Sequence, residues 1–526
     1  MKLSISSLIP QNAATLWLGI TLILWWLGIA GRDIYLLPAI VFLGICIFQI
    51  RKGEFSNNSI NWINDYSNKR CLIAFYWIHV GLYLLTTILK YYSFRWNIWD
   101  VGSYSNMLFN ISQGRFYSSY LGSHNWADHF TPSMSPLSLF YSLAPSTHWL
   151  TLAKTIAYLS VPMLIYKICR ESFQNKEQAW SVTVILGAAW MLFYAPALNS
   201  LYYEFQPSAL APPFILYAFL CFQRKQWLRF WLTMFVLLGF KEHLGAVWIG
   251  FGCFMVLATP NKKMGFILIS GGIISIYLIM FQVMPYFRNY EESWSMALGP
   301  FQDIPKKLIY LFKILIPLGF LPLIFWRFGI MAGPAIGINL LSSHMRPEMY
   351  STSYHYDDIP ATLLILAMIL IISSSRHKFK FWQEGKASHW LLAGWMVCVL
   401  GLLPSSPMRE LYAAIPDKSH WDIRKELVDF DQLSKENSIA VQTSLGPQFN
   451  RTNILAITQD SNGNCAPMRR GISVLETEYL VFAKSLNHYL IEDLEQCLKK
   501  INLSSDYEKL TEYKHLQIYK LIYSKK

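Results

Sequence analysis

The stretch CLIAFYWIHVGLYLLTTIL (71–89) contains no aspartate, glutamate, lysine or arginine. At 1.5 Å per residue a helix of this length reaches about 28 Å, close to the hydrocarbon thickness of a bilayer. A helix also satisfies its own backbone hydrogen bonds, which lipid cannot do. The stretch therefore predicts a transmembrane helix.

Similar apolar segments recur along the chain of 526 residues, which is 53% hydrophobic and has a mean hydropathy of +0.28. This composition is typical of a polytopic α-helical membrane protein and not of soluble domains in tandem. The segments lie at 16–31, 35–50, 71–89, 148–168, 180–198, 207–222, 230–240, 244–259, 264–284, 307–326, 328–340, 359–374 and 388–403. Because two of them, 230–240 and 328–340, are short for a complete crossing, we expect about 11–13 transmembrane helices.

Basic residues cluster in alternate connections between these segments. They are Arg51, Lys52, Lys69 and Arg70; Lys167, Arg170 and Lys176; Arg224, Lys225 and Arg229; Lys262 and Lys263; and Arg376, Lys378, Lys380 and Lys386. The positive-inside rule predicts that these loops are cytoplasmic. The formal net charge of +13 then needs no nucleic-acid partner, since topology and contact with anionic membrane lipids account for it.

The opposite connections are accordingly expected outside the cytoplasm, at 90–147, 199–206, 241–243, 285–306, 341–358 and after 404. The chain divides into three parts: two N-terminal transmembrane helices within 1–70, a transmembrane module at 71–403 with the large outer loop 90–147, and residues 404–526. This last part has the charge density of a soluble domain. Helical patterns at 422–437 and 486–501, with strand-like patterns at 438–445, 453–458, 478–483 and 515–523, predict a small extracytoplasmic α/β domain.

Cys465 and Cys497 are the two cysteines of that C-terminal domain. A domain outside the cytoplasm folds where thiols can be oxidised, so these cysteines are available to form a disulfide. The alternative is that Cys497 lies in the domain core and Cys465 is free. The sequence leaves both open, because it does not fix the Cα separation that a bridge requires.

Five short motifs place acids and imidazoles beside helix ends on the predicted outer face. They are WDVG (99–102), NWADHFTPSMSP (125–136), YYEFQPS (202–208), KEHLG (241–245) and YHYDDIP (354–360). Ionisable groups near a membrane core are costly to keep and usually face a bundle interior or a wet cavity. One such residue is often only a helix cap or an interfacial anchor. Five clusters on one face favour a shared functional cavity.

The order of these motifs, together with Gln113-Gly114-Arg115 and LGFLPL (318–323), resembles the bacterial DUF2079 family of membrane proteins. The resemblance runs from about residue 75 to about residue 485. That family is grouped with the GT-C glycosyltransferases, which take a sugar from a polyprenyl-phosphate carrier on the outer face of the membrane. The chain departs from the family pattern at Gln206, within Glu204-Phe205-Gln206-Pro207, and at His243, where an acidic residue is expected.

The resemblance implies a GT-C-like fold in the bacterial cytoplasmic (inner) membrane and a polyprenyl-phosphate-linked sugar as donor. The acceptor, a glycan, a lipid or a protein, is left open. An attacking hydroxyl must lose its proton, so the site needs a carboxylate within hydrogen-bond reach. The resemblance places the catalytic aspartate in the first large outer loop, which makes Asp100 the candidate general base. Its alternative role is to cap a helix that begins near Val101.

The negative charge that develops on a departing lipid phosphate needs a cation or a metal. The candidates for phosphate or substrate binding are His129, Lys241, His243, Arg346, His355 and Tyr356. Asp128, Glu204 and Glu242 offer oxygen ligands for Mg²⁺ or Mn²⁺, although no spacing here is a metal signature. A simple ion pair between Lys241 and Glu242 is the alternative.

Two other functions stay open at this point. Charged helix ends and short helices also occur in membrane transporters, although the acids here lie at the outer ends of the helices and no repeat relates the two halves of the chain. A GT-C-like assembly protein without catalytic activity is the second. The sequence contains no nucleotide-binding fingerprint, phosphate-binding loop or CxxC pair, so nucleotide-dependent and dithiol chemistry have no support.

Overall fold

The computed structural model describes residues 23–28, 66–288, 298–374, 406–460, 462–468, 477–504 and 506–522. The predicted helices at 35–50 and 388–403, and most of 16–31, lie outside these ranges. Within them, four helices are long and apolar enough to cross a membrane: Lys69–Tyr92, His148–Ser172, Lys262–Phe287 and His355–Ser374. A fifth candidate is the pair Lys176–Phe193 and Ala195–Tyr202, which is bent by 52°. The protein is thus a polytopic helical membrane protein.

The helices of the membrane module vary widely in length. In chain order they are α1 (Tyr66–Tyr92), α2 (Ser103–Ser112), α3 (Ser138–Leu143), α4 (His148–Ser172), α5 (Lys176–Ala188), α6 (Ala195–Tyr202), α7 (Ala211–Gln223), α8 (Trp227–Leu238), α9 (Gly245–Ala258), α10 (Lys262–Leu278), α11 (Met284–Phe287), α12 (Ile304–Leu315), α13 (Leu321–Ile324), α14 (Trp326–Gly329), α15 (Gly333–Leu341) and α16 (Asp358–Ser374). A two-stranded antiparallel ribbon, β1 (Tyr117–Ser118) and β2 (Ser123–His124), lies in the outer loop.

The segments predicted as two helices at 307–326 and 328–340 are instead a series of short ones, α12 to α15. The hydropathy pattern does not reveal why the helix is broken between α12 and α15. Pro317 and Pro322 cannot donate a backbone hydrogen bond, and Gly319 and Phe320 between them adopt positive φ angles of 59° and 56°. The chain therefore turns repeatedly where the apolar pattern alone predicts continuous helix.

Helices α9 and α10 pack through a seam of glycines. Gly252 lies so close to the facing helix that a Cβ built on it would be 2.5 Å from the carbonyl oxygen of Gly265. Gly245 and Gly272, each seven residues from the first pair along its own helix, meet in the same way. Small residues allow such close approach of membrane helices. The seam fixes the start of α9, and with it the KEHLG motif, against the rest of the bundle.

The C-terminal domain contains a six-stranded mixed sheet with flanking helices, as the α/β prediction requires. Its helices are α17 (Pro407–Ala414), α18 (Lys418–Leu433) and α19 (Leu494–Leu503), and its strands are β3 (Ile439–Val441), β4 (Ile454–Gln459), β5 (Cys465–Met468), β6 (Tyr479–Phe482), β7 (Tyr507–Leu510) and β8 (Gln517–Leu521). The sheet order is β5-β4-β3-β6-β8-β7. The central strand β3 runs parallel to both neighbours, and the other pairs are antiparallel.

Two details of this domain differ from the sequence pattern. The helix predicted at 486–501 begins only at Leu494, because Leu490 has a positive φ of 73° and the Asp493 side chain caps the helix by accepting from the Gln496 amide. The edge strands β5 and β7 were not predicted. The disulfide between Cys465 and Cys497 is present, with a Cα separation of 5.4 Å, and it ties β5 to α19.

The outer loop contributes directly to the core of the C-terminal domain. Phe94, Ile98 and Tyr120 are buried in one apolar cluster with residues of that domain, which include Ile423, Leu427, Phe430, Ile439, Val441, Leu445 and Phe449. The amide of Ile98 also donates to the carbonyl of Thr443 at 3.0 Å. The outer loop and the C-terminal domain thus form one packed unit.

Helix α1 ends in a turn that usually contains glycine. The Arg95 amide donates to the Lys90 carbonyl and the Phe94 amide donates to the Tyr91 carbonyl, which is the Schellman pattern. Phe94 occupies the left-handed position of this motif, with φ of 53°. Its ring is buried in the shared core, so packing outweighs the conformational preference for glycine.

We predict that Phe94→Gly destabilises the protein. Loss of a buried phenylalanine side chain costs about 3–5 kcal/mol, whereas relief of the left-handed backbone returns about 1–2 kcal/mol. Thermal unfolding of the purified protein should therefore occur at lower temperature. Lys225→Gly is the matched control, because Lys225 has the same turn at the end of α7, a φ of 55° and an exposed side chain. The control should be neutral or stabilising; a stabilised Phe94→Gly protein would contradict the shared core.

Candidate active site

Asp100 lies in a π-helical turn, Ile98–Gly102, that follows α1. Ile98 and Val101 of this turn are fully buried, and they leave the carboxylate of Asp100 on the partly exposed side. One carboxylate oxygen accepts a hydrogen bond from the Tyr203 hydroxyl at 2.8 Å, and the other accepts from the Gln206 side-chain amide. Neither the π-helical turn nor α2 has a side-chain cap, so Asp100 is not the helix cap that was its alternative role.

The surroundings of Asp100 make it a stronger base than a solvated aspartate. Burial raises the pKa of Asp100 above its usual range. The hydrogen bond from Tyr203 and the positive charge of Lys241 lower the pKa, but burial is the larger effect. A carboxylate with a raised pKa binds a proton more readily, which suits proton abstraction from a hydroxyl group.

Gln206 connects Asp100 to Lys241. Its side-chain nitrogen donates to Asp100, and its side-chain oxygen accepts from the Lys241 ammonium at 3.2 Å. This orientation of the amide is forced, since a carboxylate only accepts and an ammonium only donates. Sequence reasoning treated Gln206 only as a departure from the family pattern. A polar residue between two site motifs was the available signal, but its partners depend on the fold.

Lys241 is 4% exposed, and among the residues that the structure describes it forms no ion pair with a carboxylate. Its ammonium lies 5.9 Å from the centre of the Tyr356 ring and bonds only to Gln206. The predicted alternative, an ion pair between Lys241 and Glu242, is not formed, because Glu242 pairs with His129. Lys241 is thus a buried cation that makes no direct ion pair with the described residues, although its charge acts on nearby Asp100.

The other buried lysines are satisfied in a different way. Lys154 donates to the carbonyls of Tyr203 and Glu204, at 2.8 and 3.2 Å. Lys90 donates to the Tyr202 carbonyl and pairs with Glu410 at 2.8 Å; Lys307 donates to the carbonyls of Gly299, Pro300 and Ser342. Among the described buried lysines, Lys241 thus differs in having a single hydrogen-bond acceptor and unused donor capacity.

His129 lies between two carboxylates. Its Nδ1 is 2.9 Å from a Glu242 oxygen, and its Nε2 is 3.7 Å from an Asp128 oxygen. The second oxygen of Glu242 accepts from the Phe130 amide at 3.3 Å. The structure therefore joins the DHFTP and KEHLG motifs, as the prediction of one shared cavity requires, and it fixes the imidazole of His129 near Asp100 and Lys241.

His355 is 4% exposed, and neither ring nitrogen has a hydrogen-bond partner among the described residues. Its ring lies 4.9 Å from that of Tyr203 and 4.1 Å from that of Tyr356. Buried polar groups are nearly always hydrogen-bonded, so an unpaired imidazole beside Tyr203 is a candidate contact for a substrate. Tyr203, which connects His355 to Asp100, was not among the site residues predicted from the sequence.

The two acids after His355 hold the site together. Asp358 accepts from Ser208 at 3.0 Å and from Ser200 at 3.4 Å, and Asp357 accepts from Tyr310 at 2.6 Å. Asp358 therefore joins the YHYDDIP motif to the YYEFQPS loop. Both acids are buried, but the second carboxylate oxygen of Asp357 has no hydrogen-bond partner among the described residues.

Glu204 supports the turn that carries Asp100. Its carboxylate accepts from the backbone and the side-chain nitrogens of Asn97, at 3.0–3.1 Å. Burial raises the pKa of Glu204, and the nearby charge of Asp100 raises it further. Glu204 is thus engaged with the residue that precedes the π-helical turn.

The predicted metal ligands do not come together. In the part of the chain that the structure describes, no group of three His, Cys, Asp or Glu side chains is arranged to hold a metal ion. Glu204 is bound by Asn97, and Glu242 and Asp128 both face His129. A role for Mg²⁺ or Mn²⁺ stays a prediction.

The remaining predicted residues lie at the edge of the site. His243 is half-buried in the short 3₁₀ turn Glu242–Leu244, next to Glu242. Arg346 is exposed, with its guanidinium 3.7 Å from Glu348. Tyr356 is partly exposed and lies closer in, with its ring 4.1 Å from that of His355 and 5.9 Å from the Lys241 ammonium. Arg346 and His243 form no hydrogen bond or ion pair with Asp100 or Gln206, whereas Tyr356 adjoins the group formed by Asp100, Gln206, Lys241 and His355.

The fold and these motifs define a polytopic membrane protein with a polar site at one end of its helices. The family model described as "Predicted membrane protein (DUF2079)" matches residues 90–459, which include all five motifs. The chain therefore belongs to the DUF2079 family, as its motif order indicated.

No curated protein matches the sequence. Among solved structures, the chain is similar to ArnT from Cupriavidus metallidurans, which was crystallised bound to undecaprenyl phosphate. The two chains are 10% identical, the match covers 84% of this chain and 97% of ArnT, and the TM-score is 0.48.

Proposed function

We propose that the protein is a membrane glycosyltransferase that moves a sugar from a polyprenyl-phosphate carrier to an acceptor on the extracytoplasmic face. The observation that carries this proposal is Lys241, a buried cation that makes no direct ion pair with the described residues and is joined to the base Asp100 through Gln206. A site for an anion beside a site for proton abstraction suits a reaction in which a hydroxyl group attacks and a phosphate leaves.

Lys241 binds the phosphate of the donor in this proposal. An ammonium has three donor protons, and Gln206 accepts from only one of them. A phosphate oxygen can accept the others in charge-assisted bonds, which strengthen as negative charge develops on the leaving group. His129 and His355 are the neighbouring imidazoles that complete the donor site.

Asp100 acts as the general base. It takes the proton of the acceptor hydroxyl as that oxygen forms a bond to the anomeric carbon of the sugar. The bond between the anomeric carbon and the phosphate oxygen breaks, and the phosphate leaves with the electron pair. Gln206 is a positioning residue, because it fixes the direction of both the base and the phosphate-binding ammonium.

The proposed location is the bacterial cytoplasmic membrane, with the basic loops inside and the site and C-terminal domain outside. The disulfide of Cys465 and Cys497 supports this orientation, since structural disulfides form mainly in oxidising compartments. The hydrogen bonds between the C-terminal domain and the outer loop support it as well, because they require both to be on the same side of the membrane.

We predict that Asp100→Asn abolishes transfer while the protein folds normally. The amide keeps the size of the side chain but cannot take a proton at neutral pH. Transfer from a panel of labelled polyprenyl-phosphate sugars into a membrane extract is the measurement. Asp429→Asn, a change of an exposed aspartate on α18, is the control and should retain activity. An Asp100→Asn protein with full activity would remove the base from the proposal.

We expect Tyr203→Phe to move the acidic limb of the pH profile of kcat/KM to higher pH. The Tyr203 hydroxyl lowers the pKa of Asp100, so its loss raises that pKa further. Only the ionised carboxylate accepts a proton, so activity is lost as the pH falls through this pKa, and the loss begins earlier in the variant. An unchanged acidic limb would show that the hydroxyl does not act on the titrating group.

Lys241→Met should weaken binding of a polyprenyl phosphate about 10- to 100-fold, which corresponds to the loss of a charge-assisted hydrogen bond of about 1.5–3 kcal/mol. Binding to the purified protein in lipid nanodiscs is the measurement. Lys307→Met is the matched control: it also removes a buried lysine, but one whose protons go to backbone carbonyls. It should lower stability and leave affinity unchanged. Equal loss of affinity in both variants would contradict a specific role of Lys241.

A further inference from the structure

A cavity of about 500 Å³, here called the junction cavity, lies where the end of α1 meets the C-terminal domain. Arg95 and Trp96 line it from the turn after α1, Tyr203 from the end of α6, and Ser485 and Asn487 from the C-terminal domain. None of the phosphate-binding candidates lines it. The cavity is therefore a space separate from the proposed donor site.

The available charge in the junction cavity is positive. Arg95 is exposed, and its guanidinium forms no hydrogen bond or ion pair with any residue that the structure describes. The other ionisable lining residues are already engaged: Lys90 pairs with Glu410, the Glu204 carboxylate accepts from Asn97, and the His420 ring lies 2.8 Å from the Asp417 carboxylate. An anionic group is the partner that Arg95 would bind in a planar, two-point contact.

The rest of the lining suits a sugar ring. Tyr203 is partly exposed and provides aromatic surface, which packs against the apolar C–H face of a saccharide, and the largely buried Trp96 also lines the cavity. Ser485 and Asn487 are exposed and offer a hydroxyl and an amide for ring hydroxyls. Aromatic rings together with many polar side chains suit a ligand that has both an apolar face and several hydroxyl groups.

Tyr203 separates the junction cavity from Asp100. It lines the cavity, and its hydroxyl donates to the Asp100 carboxylate at 2.8 Å. We propose that the junction cavity binds the acceptor as an anionic saccharide, and that the acceptor hydroxyl replaces the Tyr203 hydroxyl at Asp100. This inference rests on the proposed function: Asp100 takes the proton of that hydroxyl, its oxygen bonds to the anomeric carbon, and the carrier phosphate leaves.

The test uses the full-length protein in lipid nanodiscs and octyl β-glucuronide as the probe. We expect binding that is at least tenfold tighter than that of octyl β-glucoside, which lacks only the carboxylate. Free glucuronic acid distinguishes between a soluble and a lipid-linked acceptor. Binding equal to that of octyl β-glucuronide indicates recognition of the saccharide of a soluble glycan, and much weaker binding indicates a lipid-linked acceptor. Either result supports the anionic saccharide; equal binding of the glucuronide and the glucoside overturns it.

Two variants locate the binding. Ser485→Trp fills the cavity from its exposed wall, and Arg95→Gln removes the charge, so both should weaken glucuronide binding at least tenfold. Lys435→Gln, which removes an exposed charge elsewhere on the same domain, is the control and should not. Polyprenyl phosphate binding is measured on the same samples. Unchanged glucuronide binding in both cavity variants overturns this inference alone, whereas failure of the wild type to bind polyprenyl phosphate overturns the proposed function.

Discussion

The site depends on how the backbone carbonyl groups at the end of α6, which have no partner within the helix, are hydrogen-bonded. A helix leaves its last carbonyls without partners, and here α6 ends at Tyr202 inside the protein. The ammonium groups of Lys90 and Lys154 donate to the carbonyls of Tyr202, Tyr203 and Glu204. Two buried ammonium groups and three backbone carbonyl groups thus satisfy one another. These hydrogen bonds hold the chain after α6 in place, although it has no regular structure.

This segment positions the polar side chains of the site. Tyr203 reaches Asp100, Glu204 reaches Asn97, and Gln206 reaches both Asp100 and Lys241. The carboxylate of Asp100 and the ammonium of Lys241 are therefore oriented by hydrogen bonds from one short piece of chain. In the proposed transfer such an arrangement would need no rearrangement as charge develops.

The sequence predicted the membrane class, the α/β character of the C-terminal domain and the gathering of the outer motifs. These predictions rest on hydrophobic periodicity and on the positions of basic residues, which are patterns spread over many residues. A wrong interpretation of one residue therefore changes the predicted fold very little. The broken helices between 304 and 341 were missed, because Pro317, Gly319 and Phe320 act locally within an apolar pattern. Gln206 and Tyr203 were missed as site residues for a different reason: a hydrogen-bond partner 100 residues away is a property of the fold and leaves no local pattern.

The packing of the outer loop into the C-terminal domain has a consequence for biosynthesis. Asn106, just after the turn that carries Asp100, donates to the carbonyl of Arg451, 345 residues further along the chain. A ribosome delivers the membrane helices first and this domain last, and the domain's sheet is complete only when β8, near the end of the chain, has been made. The nascent protein thus resides in the bilayer for a period before the C-terminal domain can pack against the outer loop. The turn that carries Asp100 therefore acquires its contacts with that domain late in synthesis, after the membrane helices have been made.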